Sequence, residues 1–367
     1  MRPTLKFISL CAAWAVLLTS GFLRAAELPA RPEKLTPAQA VDAYLAVVED
    51  EQQTRVKRSY AAAQIVKLGE SALPRIQELY RRADVERRGC LAEILSGMGK
   101  VGRTATDMLL DDLKRSRLKT HPNVIRAMGD LQIRDAVPLL LELLSAASDQ
   151  TRSMTLYALS QLADERASDA LSGALDAPDR VVRAVAANGV IGLLVKLKAK
   201  TPEPEGQDAY HTLLKKVLRY IESGNQSDVK RILAAGMGRV KEPESGRILR
   251  RNLRYGSPEL QLACARALGE LGDREAVREL TETLSSDDLA LRRAALEALA
   301  SIGDLDCVPV LIDRLETSEA KERRDLVKAL NRLTGQVFGD NPQQWRQWWE
   351  SRENAEEKDA GARRRGR

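Results

Sequence analysis

Histidine is nearly absent from this 367-residue chain, which has only His121 and His211. Aromatic residues are thin at 4%, and the four cysteines never form a C-x-x-C pair. No H-E-x-x-H or G-x-S-x-G occurs either. These absences remove the common zinc-ligand spacings and the serine-nucleophile elbow. His121 in "KTHPNV" falls in a turn and His211 opens an apolar helical stretch, with no metal-site partner near either. No catalytic residue, metal ligand or small-molecule cofactor is therefore expected. One letter match exists: "GMGKVG", Gly97 to Gly102, fits G-x-G-x-x-G. A dinucleotide site needs a strand before that run and a helix opening at its end. Here "RGCLAEILS" before it reads as helix, and "GMGRVK" at 236–241 places similar glycines in what reads as another turn. The cofactor reading is set aside.

The N-terminus has the pattern of an export signal. Arg2 and Lys6 accompany an uncharged, largely apolar run, "FISLCAAWAVLLTSGFL" at 7–23, followed by "RAAELPA". Cleavage after Ala25 or Ala26 is expected. The alternative is an uncleaved inner-membrane anchor, since 17 residues lies at the lower limit for spanning. No other stretch is long and apolar enough to cross a membrane, so the only membrane contact expected is through this segment. The mature chain is expected to be periplasmic or secreted. Cleavage leaves Cys90, Cys264 and Cys307, an odd number embedded in apolar helical patterns, which points to buried thiols and away from a disulfide framework.

The sequence pI is about 9.1 and the formal net charge +6. Three of those charges belong to Arg2, Lys6 and Arg24, and the tail 352–367 adds a net two more. The body is near neutral, so nucleic acid is not an expected partner.

Ala and Leu dominate what is present, and they repeat. Leu253, Leu284 and Leu315 are spaced by 31, as are Ala267, Ala298 and Ala329, and upstream Leu113, Leu144 and Leu175. Each unit reads as two amphipathic helices. Val277, Leu280 and Leu284 mark one apolar face; a polar turn such as "SSDD" or "DAPDR" supplies an Asp N-cap for an Ala-rich second helix. Glycine-containing turns such as "ASIGD" end the unit. Nine hairpins follow at 37–69, 71–100, 104–130, 134–163, 165–194, 208–241, 243–272, 274–303 and 305–334. No hairpin buries its apolar face alone, so stacking is required.

The step Asp179–Val182–Arg183, the step Asp288–Leu291–Arg292 and the run "AALEALASIGD" resemble HEAT repeats, in the short form of phycobilisome-lyase-like repeat proteins. The implied fold is all-α, a right-handed α-solenoid of about nine hairpins closed by a C-terminal capping helix. The expected organisation is a signal peptide at 1–26, repeats at 27–196, a loop or linker at 197–208 around "AKTPEPEGQD", further repeats at 209–335, a Trp-rich capping helix at 336–353 and a disordered basic tail at 354–367.

Asn341 as N-cap and Pro342 at N1 place Trp345, Trp348 and Trp349 on one face of the last helix. An array leaves its final apolar face open, and these tryptophans suit the covering role; an exposed aromatic hot spot for a partner is the alternative. Charge supplies the other candidate surface. Residues 208–256 carry a net +6 and residues 257–335 a net −5. Arg247, Arg250, Arg251 and Arg254 share one side of one helix and are the candidate partner-binding residues, against a plain solvated face. Recurrent arginines at second-helix starts (Arg152, Arg183, Arg292, Arg323) are expected to pair with turn aspartates.

These features favour a non-catalytic scaffold for an unidentified protein partner in the envelope or outside the cell. The competing classes are a binder of an anionic polymer or nucleic acid through 208–256, and a lyase-type or glycosylase-type HEAT enzyme.

Overall fold

A computed structural model of the chain describes residues 35–145, 149–200 and 204–365. Nineteen α-helices and no strand occur among the described residues. The expected export segment at 1–26 lies outside them.

The chain forms two compact units that divide between Ala167 and Ser168. In the first, helices pair as α1 (Pro37–Glu49) with α2 (Arg55–Lys67), α3 (Leu73–Arg82) with α4 (Val85–Gly97), α5 (Thr106–Ser116) with α6 (Pro122–Asp130), and α7 (Val137–Leu144) with α8 (Asp149–Leu162). In the second the pairs are α9 (Ser168–Gly173) with α10 (Arg180–Lys200), α11 (Pro204–Ser223) with α12 (Ser227–Val240), α13 (Gly246–Tyr255) with α14 (Pro258–Leu271), α15 (Val277–Thr283) with α16 (Leu289–Ile302), and α17 (Val308–Thr317) with α18 (Ala320–Thr334). A final helix, α19 (Pro342–Arg365), follows. Within each unit odd-numbered helices are the first of a hairpin and even-numbered ones the second.

Local chemistry fixes the helix ends. The Thr36 hydroxyl accepts the Gln39 amide, and the Gln39 side chain accepts the Thr36 amide at 2.9 Å, a complete capping box. Asp288 accepts from the amides of Ala290 and Leu291, and Asp179 from Val182 at 2.8 Å. Gly272, Gly303 and Gly335 close α14, α16 and α18 with φ of 72°, 73° and 71°, a conformation costly for any residue with a Cβ.

The second helices pack closely because small residues meet at the 31-residue period. A Cβ on Gly238 of α12 would lie 3.1 Å from the Ala267 Cα of α14. One repeat on, a Cβ on Gly269 would lie 2.6 Å from the Ala298 Cα of α16. The next equivalent is Ala300, which keeps its methyl group. There α16 and α18 part enough to leave a groove of about 250 Å³ bordered by Ala300 and Ala329. Gly236 and Gly238 therefore lie inside α12, and "GMGRVK" is a packing segment of that helix, not the turn its letters resembled.

The first helices are joined differently, by ion pairs. In the second unit Lys216 of α11 meets Asp169 of α9 at 2.7 Å, Arg251 of α13 meets Glu222 of α11 at 2.9 Å, and Arg254 of α13 meets Glu282 of α15 at 2.9 Å.

Two expected boundaries move. The loop at 197–208 shrinks, because α10 runs to Lys200 and α11 begins at Pro204. Its prolines read as loop signals, but proline is compatible with the first position of a helix, and the "VKLKAK" end of α10 complements a helix C-terminus. The division between compact units consequently falls at 167/168, not at this segment. The tail expected to be disordered from 354 instead continues α19 to Arg365. Glu, Ala, Lys and Arg are strong helix formers, and arginines suit a C-terminal end.

Candidate functional site

The four candidate arginines do share α13, yet they do not form a free patch. Arg250 is ion-paired with Asp273 and Glu275, Arg251 with Glu222, and Arg254 with Glu282. Only Arg247 remains exposed without an ion pair. Arg250 and Arg254 thus meet carboxylates of the acidic segment after 256, and Arg251 meets Glu222 within 208–256. The spacing argument could not show that α11, α15 and the turn after α14 bring acids to these arginines.

The three tryptophans separate by burial. Trp345 is fully buried, and its indole N–H donates to the Gly339 carbonyl at 2.9 Å. Phe338 meets its ring edge-on with centroids 4.9 Å apart. Trp348 and Trp349 are half-buried, and the Arg352 guanidinium lies 5.2 Å over the Trp349 ring. Asn341 caps this helix through the amides of Gln343 and Gln344. α19 packs on α17, the first helix of the last hairpin, and Arg346 bonds Asp313 and Glu316 there at 2.8 and 2.9 Å.

The remaining chemistry-bearing residues have structural surroundings. His121 caps α6, with Nδ1 accepting the Asn123 amide at 3.1 Å and its ring packed over Gly89. His211 lies edge-on to Tyr210. Among the described residues no group of three His, Cys, Asp or Glu side chains is placed to hold a metal ion. Burial pushes the thiols of Cys90, Cys264 and Cys307 up to about 12. At pH 8 almost no thiolate forms, so a disulfide-exchange reagent is expected to modify the native protein far more slowly than the same protein in denaturant. Fast modification of any of the three in the native state contradicts that placement.

The recurrent arginines make a contact that their spacing did not reveal. Arg183 donates to the turn carbonyls of Ala177 and Pro178, both at 2.9 Å, and reaches Asp228 in the first turn of α12 at 2.9 Å. Arg292 donates to the carbonyls of Ser286 and Asp287 and reaches Glu322 in the first turn of α18 at 3.4 Å. Each guanidinium thus holds its own turn and an acid of a following second helix, where turn aspartates had been expected as partners. Burial opposes ionisation of Asp228, but bonds from Arg183 and the Val229 amide hold its carboxyl below the usual range. Arg323 begins the same way, donating to the carbonyls of Ser318 at 2.9 Å and Glu316 at 3.3 Å, and has no ion pair. Among the described residues no further hairpin follows α18.

The outer side of α18 carries a cluster of free positive charge. Lys321, Arg324, Lys328 and Arg332 are exposed, at successive helical spacings of three and four, and none has an ion pair among the described residues. The acids of this helix turn back: Glu322 pairs with Arg292 and Arg314, Asp325 with Arg293. Lys328 borders two grooves. One is the α16–α18 groove, with Glu297 and Arg332 on its walls. The other, of about 550 Å³, lies on the open flank of α18 and is lined by Ala320, Arg323, Arg324, Val327, Lys328 and Asp340, with Ser318 at its end.

Stacked antiparallel hairpins of this kind define an all-α solenoid fold. Residues 106–190 and 252–331 match a family model described as HEAT repeats. Among solved structures, a chain from the complex in which Kap95p binding switches the loops of RanGDP is 15% identical, covering 91% of this chain and 51% of that one, with a TM-score of 0.54. A chain of the Kap95:Nup1 complex is 14% identical, covering 89% and 51%, with a TM-score of 0.51. This chain spans about half the length of those two. The CpcE–CpcF phycocyanin lyase of Nostoc sp. PCC7120 is 18% identical over 63% of this chain and 94% of that one, with a TM-score of 0.36. At such identities the likeness is one of fold. No curated protein matches at the level of sequence.

Proposed function

We propose that this chain is an exported, non-catalytic HEAT-repeat scaffold that binds a protein partner through the outer surface of its second helices. The carrying observation is the contrast between the two sides of the second unit. First helices tie many of their exposed charges to one another, as in Lys216–Asp169, Arg251–Glu222 and Arg254–Glu282, with Arg247 left unpaired. Second helices instead present exposed, unpaired side chains in successive rows: Arg231 and Arg239 on α12, Arg266 and Glu270 on α14, Glu297 on α16, Arg324 and Lys328 on α18. Close small-residue contacts hold the rows of α12, α14 and α16 at fixed spacing, which suits recognition of an extended protein surface. Export rests on the signal pattern of 1–26.

The test uses a C-terminally tagged full-length chain in a bacterial host, with and without residues 1–26. The expected result is segment-dependent export, a mature N-terminus at Ala26 or Glu27, and one specific envelope protein retained on affinity purification. Retention of the full-length chain in the cytosol contradicts the export reading. An envelope extract that yields no specific protein contradicts the scaffold reading.

A further inference from the structure

The last hairpin ends a pattern that the earlier ones complete. Arg183 and Arg292 each use part of the guanidinium on their own turn carbonyls and part on an acid in the first turn of a following second helix. Arg323 makes the carbonyl contacts and has no such acid. The flank beside it is not closed by α19, which packs on α17. It is a groove of about 550 Å³ in which the half-buried Val327 and exposed Ala320 lie among Arg323, Arg324 and Lys328, with Asp340 as its acid.

Building on the scaffold reading, we propose that this flank docks an acidic amphipathic helix of the protein partner, lying where the second helix of a further hairpin would lie. An Asp or Glu in its first turn takes the open side of Arg323, and further acids meet Arg324 and Lys328. Its apolar stripe covers Val327 and Ala320. Charge-assisted pairing of guanidinium with carboxylate supplies orientation, and the apolar contact supplies burial.

Two other occupants fit less well. A second copy continuing the stack would bring α2 to this flank, and the first turn of α2 carries Arg55, Lys57 and Arg58 with no acid. Like charges would meet there. A polyanion would follow cations from helix to helix, but Asp340 lines this groove and Glu297 the next one.

The experiment places a photo-crosslinking p-benzoylphenylalanine at Val327, and separately at Arg266, in the full chain expressed in its cell. The expected result is a crosslink from position 327 to a protein segment of net negative charge and helical apolar spacing. The double variant R324E/K328E should cut that yield about tenfold or more while crosslinks from position 266 persist. Both residues are exposed and unpaired, so the melting temperature should not move; R323Q provides a second, independent loss. Protein crosslinks from position 266 alone overturn the flank proposal and leave the scaffold reading standing. Crosslinks at 327 to a second copy, to nucleic acid or to a basic segment also overturn it. No protein crosslink from either position overturns both.

Discussion

Replacing Trp345 by alanine is expected to destabilise the second unit by about 3–5 kcal/mol, the range for deleting a buried aromatic side chain. Trp345 is fully enclosed, its ring meets Phe338, and its N–H satisfies the Gly339 carbonyl. Alanine leaves a cavity and an unpaired carbonyl together, and α19 loses the aromatic anchor that holds it to Phe338 and Gly339. The half-buried Trp349 is the matched comparison, and Trp349→Ala should cost clearly less. Urea unfolding followed by circular dichroism measures both. Equal effects from the two variants would mean that Trp345 is not the anchor.

Two glycine substitutions are expected to act with opposite signs. Gly269→Val should destabilise at or above the top of the overpacking range of about 1–3 kcal/mol. Its first added carbon already lies 2.6 Å from a backbone atom, the Ala298 Cα, so α14 and α16 must separate. Gly192→Ala in α10 should stabilise by about 1 kcal/mol, since nothing lies within 4 Å of the added methyl and alanine is the better helix former. Helix propensity alone predicts a gain at both positions. Thermal melts of the two variants separate the seam from propensity, and a Gly269→Val protein as stable as the parent would show that the seam yields freely.

The repeat was legible because the 31-residue period recurs in Leu and Ala, and the hairpins pair as it delimits them, except that α10 runs past 194 to Lys200 and α11 begins before 208, at Pro204. The caps at Asp179, Asp288 and Asn341 were equally legible, since capping joins residues two or three positions apart. Charge was not. Segment totals pointed to 208–256, whose arginines bond acids from helices 23 to 29 residues away. A row of four free cations on α18 instead lies inside a segment of net charge −5, because the acids of that helix pair with Arg292, Arg293 and Arg314. A sum along the chain is blind to which side of a helix each charge occupies. Nor could spacing reveal that α19 would cover α17 and leave the flank of α18 open.

The difference between the two sides of the second unit also bears on how it bends. One side is seamed by glycine and alanine backbones in contact, which neither stretch nor depend on solvent. The other is tied by ion pairs such as Arg254–Glu282, whose side chains are 40% and 49% exposed and are screened by salt. Such a stack resembles a strip with one stiff and one compliant face: a load opens the ion-paired face first, while the seam serves as the hinge line. Its elasticity is therefore set by ionic strength, softening as salt rises even where the fold itself is unchanged.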